Sequence, residues 1–159
     1  MNSNPPTNSR PDSASNPPPV GRCGYIALVG RPNAGKSTLF NAFLGQRLSI
    51  VTPRPQTTRG RILGILTRPC SQLIFLDTPG LLEPQYKLHE AMTHQIELAA
   101  RHADLALLLF DATRLRDRRE LVHAFIDQCR LPLVAVLNKI DLLEPDQVED
   151  QRRSLCRVF

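Results

Sequence analysis

A doubly wound α/β domain with a mostly parallel sheet is predicted by two features of this 159-residue chain. Short apolar runs recur along it, YIALV (25–29), ILGIL (62–66), LIFL (73–76), LALLLF (105–110) and LVAVL (133–137), and amphipathic or loop segments separate them. The runs lack in/out alternation, as expected of strands buried on both faces of a largely parallel sheet. Helices must then cover both faces.

The segments between the runs supply those helices. Apolar periodicity predicts helices over 36–44, 86–100 and 116–128, and a last one from about 146 with Val148, Leu155 and Phe159 on one side. Residues 81–85 form a helix-breaking loop inside the domain. The last helical pattern still runs at Phe159, so a closing strand and its covering helix are expected to lie outside these residues. Residues 1–20 contain 14 Pro, Ser or Asn and no apolar stretch, which reads as a disordered leader rather than a secretion signal and leaves 21–159 for one domain. No apolar run approaches the roughly 20 residues of a membrane-spanning helix.

Several chemistries are set aside on spacing alone. Cys23, Cys70, Cys129 and Cys156 show no paired metal-ligand spacing and read as reduced thiols in a cytosolic setting. His89 and His94 stand five apart, which turns the second about 140° around a helix from the first, away from a shared metal. Net charge is +5, and its placement is more informative than its size. Residues 21–76 hold eight basic side chains (Arg22, Arg31, Lys36, Arg47, Arg54, Arg59, Arg61, Arg68) and no acidic one. A one-signed segment of this length favours a polyanionic ligand, whether a nucleotide's phosphates or RNA.

The first strand is followed at once by Gly30-Arg31-Pro32-Asn33-Ala34-Gly35-Lys36-Ser37-Thr38, which fits GxxxxGK[ST] and opens into an apolar helix. Gly30 and Gly35 leave room for backbone N–H groups to wrap a β-phosphate, and the helix N-terminus adds its positive end. Lys36 would bridge β- and γ-phosphates, and Ser37 would offer a hydroxyl to Mg²⁺. After LIFL comes Asp77-Thr78-Pro79-Gly80, with Asp77 placed to hold the hydration shell of Mg²⁺ and Gly80 free to bring its N–H to the γ-phosphate. By itself this tetrapeptide could equally be an Asp-initiated turn, and the upstream phosphate loop tips the balance.

After LVAVL stands Asn138-Lys139-Ile140-Asp141. A carboxylate at Asp141 accepts from both guanine N1–H and the 2-amino group, whereas adenine has no matching donors. Asn138 would hold the loop and reach the base edge, with the Lys139 stem across the ring. The three motifs in this order separate GTP from ATP.

With these residues the chain resembles the translation-factor-related P-loop GTPases with a Ras-like G domain, most closely the Era family. The segment LGQRLSIVTPRPQTTRGRILGI (44–65) is similar to the family's first switch region. That resemblance implies that Thr58 closes on Mg²⁺ and the γ-phosphate in the GTP state. The polar, proline-containing loop read by itself agrees, as an exposed, mobile segment. Leu81 follows Gly80 where Ras-like enzymes place a water-orienting glutamine. Asn33 matches an asparagine that in relatives can ligate K⁺, so slow turnover, faster in K⁺ than in Na⁺, is expected. The resemblance further implies GTPase activity, binding of 16S rRNA and the 30S subunit through a KH-type domain that these residues do not contain, a monomer, and a cytoplasmic place with visits to the inner face of the membrane. Two alternatives stay open: a truncated G domain that binds guanine nucleotide without efficient hydrolysis, and a related GTPase of tRNA modification or large-subunit assembly.

Overall fold

A computed structural model describes residues 21–51, 58, 60–83, 85, 87–115 and 119–157. Five strands, β1 (Arg22–Gly30), β2 (Ile62–Arg68), β3 (Ser71–Asp77), β4 (Leu105–Asp111) and β5 (Leu133–Asn138), form one sheet in the order β2-β3-β1-β4-β5. Four helices, α1 (Lys36–Leu44), α2 (Lys87–His102), α3 (Arg119–Gln128) and α4 (Pro145–Cys156), connect and cover them. The expected boundaries for α1 coincide with those observed, and α2 runs two residues further, to His102. Tyr86, 116–118 and Phe159, assigned to helices from sequence, lie outside the described residues.

Consecutive residues of β1 go to opposite sides. Ala27 and Val29 pack with Ile96, Ala99 and Val122 of α2 and α3, whereas Leu28 packs with Phe40 of α1 and Phe75. All three β1 side chains are fully buried. Cover on both faces of the central strand explains why its second half, 26–29, is apolar at every position. At about 1.5–3 kcal/mol for each large apolar side chain removed from water, these two layers supply much of the driving force for folding.

ILGIL corrects the sequence expectation. β2 is an edge strand running antiparallel to β3, and its Leu63 and Ile65 are about half exposed. Apolar continuity alone does not distinguish a central strand from an edge strand whose outer face is uncovered. On its inner face Gly64 lets β2 lie against α1, where an added Cβ would meet Phe40 Cζ at 2.8 Å and Leu44 Cδ1 more closely still.

β1 lies between β3 and β4, and parallel strands flank it on both sides. In such sheets the connections leave the central strand in opposite directions and open a crevice beyond its carboxyl end. Register places Leu28 beside Asp77 and Asp111 beside Asn138, so the ends of β3, β4 and β5 share that rim.

Candidate functional site

Between β1 and α1 the chain forms a tight loop in which Ala34 N–H donates to Arg31 O at 3.3 Å. Asn33 and Gly35 adopt positive φ of 61° and 98°. At Gly35 the conformation and the space both require glycine, because a Cβ would run into the Asn138 side chain. Lys36 is buried at 6% exposure, and its Nζ donates to Gly30 O and Arg31 O, each at 2.9 Å. Burial pushes its pKa down to about 8, against an upward pull from nearby Asp77. A buried ammonium whose hydrogen bonds go to two carbonyls gains strongly from an incoming anion. Thr38 is exposed on the first turn of α1.

Asp77, at the end of β3, is fully buried. Its Oδ2 accepts from Ser37 Oγ at 2.7 Å and Ser49 Oγ at 2.6 Å, and Thr58 Oγ1 lies 3.5 Å away. Thr58 Oγ1 is also 3.2 Å from Ser37 Oγ. The structure thus brings together Ser37, Thr58 and Asp77, three residues from three segments. The loop holding Thr58 was expected to be exposed. Its residues 52–57 and 59 lie outside the described residues, but Ser49 and Thr58 are buried while Ile50 and Val51 are exposed. The burial follows from the hydroxyl contacts with Asp77.

Asp77 Oδ1 is buried with no hydrogen-bond partner among the described residues. A carboxylate with three hydroxyls on one oxygen and the other left unpartnered suits a hard, oxygen-seeking cation with its waters, and the donor set fits Mg²⁺.

Thr78 and Pro79 are fully buried, Thr78 Oγ1 donates to Leu28 O at 2.7 Å, and Thr78 lines the cleft beside the phosphate loop. Gly80 touches the phosphate loop, since a Cβ there would stand 2.6 Å from Pro32 N. Leu81 N–H donates to Gly30 O at 3.0 Å, and its side chain is buried in the core.

The third motif is fastened to the first. Asn138 Nδ2 donates to Ala34 O at 2.8 Å. Lys139, at φ 61°, pairs through Nζ with Asp111 Oδ2 at 2.7 Å. Burial acts to raise the Asp111 pKa, but hydrogen bonds from Lys139 and Thr113 prevail and hold it below the usual carboxylate range. Ile140 and Asp141 lie on an exposed turn spanning Ile140–Leu142. A cleft of about 560 Å³ runs from the phosphate loop past Ser37 and Thr58 to Asp111 and Lys139, within the size range of small-molecule sites. Asp141 stands outside its lining.

Three contributors were not read from the sequence. Asp111 ends an apolar strand as Asp77 and Asn138 do, which is a usable signal. Ser49 and Asn41 carry none, because their contacts depend on how the loop after α1 folds back. The rings of His89 and His94 face different surroundings, the first buried and accepting from Gln85 N–H, the second exposed beside Glu97.

A family model described as 50S ribosome-binding GTPase matches residues 25–139. GTPase Era of Desulfovibrio desulfuricans is 44% identical over 129 residues, covering 76% of this chain and 42% of that protein. Era in complex with MgGDPNP and nucleotides 1506–1542 of 16S ribosomal RNA superimposes with a TM-score of 0.81 at 39% identity, over 86% of this chain and 47% of that one. NFeoB from S. thermophilus bound to GDP·AlF4⁻ and K⁺ gives a TM-score of 0.62 at 30% identity, over 76% and 46% of the two chains. The chain therefore spans less than half the length of these relatives. With the phosphate loop, the buried aspartate and the fastened Asn-Lys-x-Asp turn on one rim of a β2-β3-β1-β4-β5 sheet, and with that match over most of its length, the chain belongs to the Era family of P-loop GTPases.

Proposed function

We propose that residues 21–159 form a G domain that binds GTP and GDP with Mg²⁺ and hydrolyses GTP slowly, as the switch of a longer protein. The observation that carries this reading is the convergence of Ser37, Thr58 and the buried Asp77 beside Lys36. Backbone N–H groups of residues 33–35, after Pro32, which has none, and the α1 N-terminus receive the phosphates, and Lys36 gains a charged partner between β- and γ-phosphates. Ser37 and Thr58 are the hydroxyl ligands for Mg²⁺, and Asp77 holds its waters. When bound, the ion supplies a hard positive charge that screens the phosphate oxygens. Gly80 offers its N–H to the γ-phosphate, which draws the segment after it, ahead of α2, toward the phosphate loop. Asp141 reads guanine, Asn138 fixes the loop that carries it, and Lys139, held by Asp111, lies across the base.

Leu81 favours slow turnover, because an apolar, core-buried side chain cannot orient water. Asn33, exposed on the phosphate loop, is the K⁺ ligand that substitutes for a catalytic cation. The complex of Era with 16S rRNA supports a role for the longer protein on the small ribosomal subunit, with RNA held by a part outside these residues. The G domain works as a monomer in the cytoplasm, with a peripheral place at the membrane, and no described helix is long and apolar enough to cross one.

The test is phosphate release from GTP by the purified chain in K⁺ and in Na⁺, beside binding of GDP and ATP. Mg²⁺-dependent GDP binding, no ATP binding and faster release in K⁺ are expected. A folded sample that ignores both GDP and GTP overturns the reading. Equal rates in the two salts remove Asn33 from it.

A further inference from the structure

Ser49 is only 4% exposed although its neighbours Leu48 and Ile50 are 44% and 66% exposed. A small polar residue buried between two exposed apolar ones requires an anchor, and Asn41 supplies it. Asn41 Oδ1 accepts from the N–H groups of Leu48 and Ser49, both at 2.9 Å, and its Nδ2 donates to Ser49 O at 2.8 Å. These three bonds fix the backbone at 48–49 against α1. Asn41 lies four residues after Ser37 on the same helical face, one turn from the phosphate end. The anchored segment delivers Ser49 Oγ to Asp77 Oδ2 at 2.6 Å, shorter than the contact from Ser37.

We propose that Ser49 is a positioning residue for the metal site, holding the Asp77 carboxylate in the rotation that keeps Oδ2 among hydroxyls and leaves Oδ1 for the metal's waters. The proposal rests on the reading of Asp77 given above. Ser37 and Thr58 can each turn a lone pair to the cation, so their contacts with Asp77 depend on the state of the site. Ser49 is held by its own backbone and has Asp77 as its hydroxyl partner, which makes it the constant contact. Partners that orient a metal-side carboxylate typically change metal affinity by about 10- to 100-fold when removed. The arrangement also ties the start of the switch loop to the metal site, since displacement of 48–49 draws Ser49 off Asp77.

The experiment measures release of a fluorescent GDP analogue from the chain across a Mg²⁺ titration, with an EDTA arm. For the unaltered chain Mg²⁺ slows release with a defined midpoint. Ser49→Ala is expected to raise that midpoint about tenfold and to leave the EDTA rate unchanged, while Ser49→Thr restores the original midpoint. Asn41→Asp, which keeps the acceptor and loses the donor to Ser49 O, is expected to move the midpoint in the same direction and decides the matter if Ser49→Ala does not fold. An unchanged midpoint, or an equal acceleration with and without Mg²⁺, overturns the positioning role. Absence of any Mg²⁺ effect in the unaltered chain overturns the site reading itself.

Discussion

Asp141 stands on an exposed turn, so its effect on stability is small and its effect on base choice can be read cleanly. Asp141→Asn is expected to weaken GDP binding by about 3–6 kcal/mol, roughly 10²- to 10⁴-fold, through loss of two charge-assisted hydrogen bonds. Xanthine nucleotides, whose 2-oxo group accepts where guanine donates, should then bind better than guanine ones in a competition assay. Asp111 makes a different prediction. Its pKa lies below the usual carboxylate range in the fold, so the folded chain binds fewer protons there than the unfolded chain. Its contribution is therefore complete above that range and is lost as pH falls through the lowered value. Asp111→Asn should remove this part of the acid limb in urea unfolding measured at successive pH values. By releasing Lys139 it should also weaken GDP binding about tenfold at neutral pH. The motif residues were legible because their chemistry is local: a glycine-rich turn, a carboxylate at a strand end. Ser49 and Asn41 were not, because no spacing rule connects a helix face to a loop that folds back on it.

Elements were legible in proportion to how much of their environment their own sequence encodes. The runs 26–29 of β1, 73–76 of β3 and 105–110 of β4 are apolar and packed between helices on both sides, and pattern and structure agree. β2 carries the same kind of run and yet lies at an antiparallel edge, since coverage of its outer face depends on what packs there rather than on its own residues. Its fit against α1 is tight at Gly64, opposite the fully buried Phe40 ring. Gly64→Ala should cost about 1–3 kcal/mol by overpacking and lower the midpoint of thermal unfolding by a few degrees in calorimetry. No loss would show that Phe40 and Leu44 shift freely. α4 begins with Pro145 at its first position and Gln147 Oε1 accepting from Glu144 N–H at 3.1 Å, which explains why its start was placed within one residue from sequence.

For the molecule as a whole, the site is assembled from loops that strand order alone brings together, so ligand and fold stabilise each other. GDP with Mg²⁺ at 100 times its dissociation constant should add about 2.7 kcal/mol to unfolding. That corresponds to a rise of roughly 5–10 °C in the unfolding midpoint. ATP at the same concentration should leave the midpoint where it was.

The bond from Asn138 to Ala34 joins the third motif to the first. On the proposed reading it staples the loop that would grip the sugar-base half of a nucleotide to the one that would grip its anionic tail, so neither can slacken alone. A partner that ejects spent nucleotide need push on only one end: prising the tail loop open would unseat the purine as well, and a single lever would empty the whole cleft.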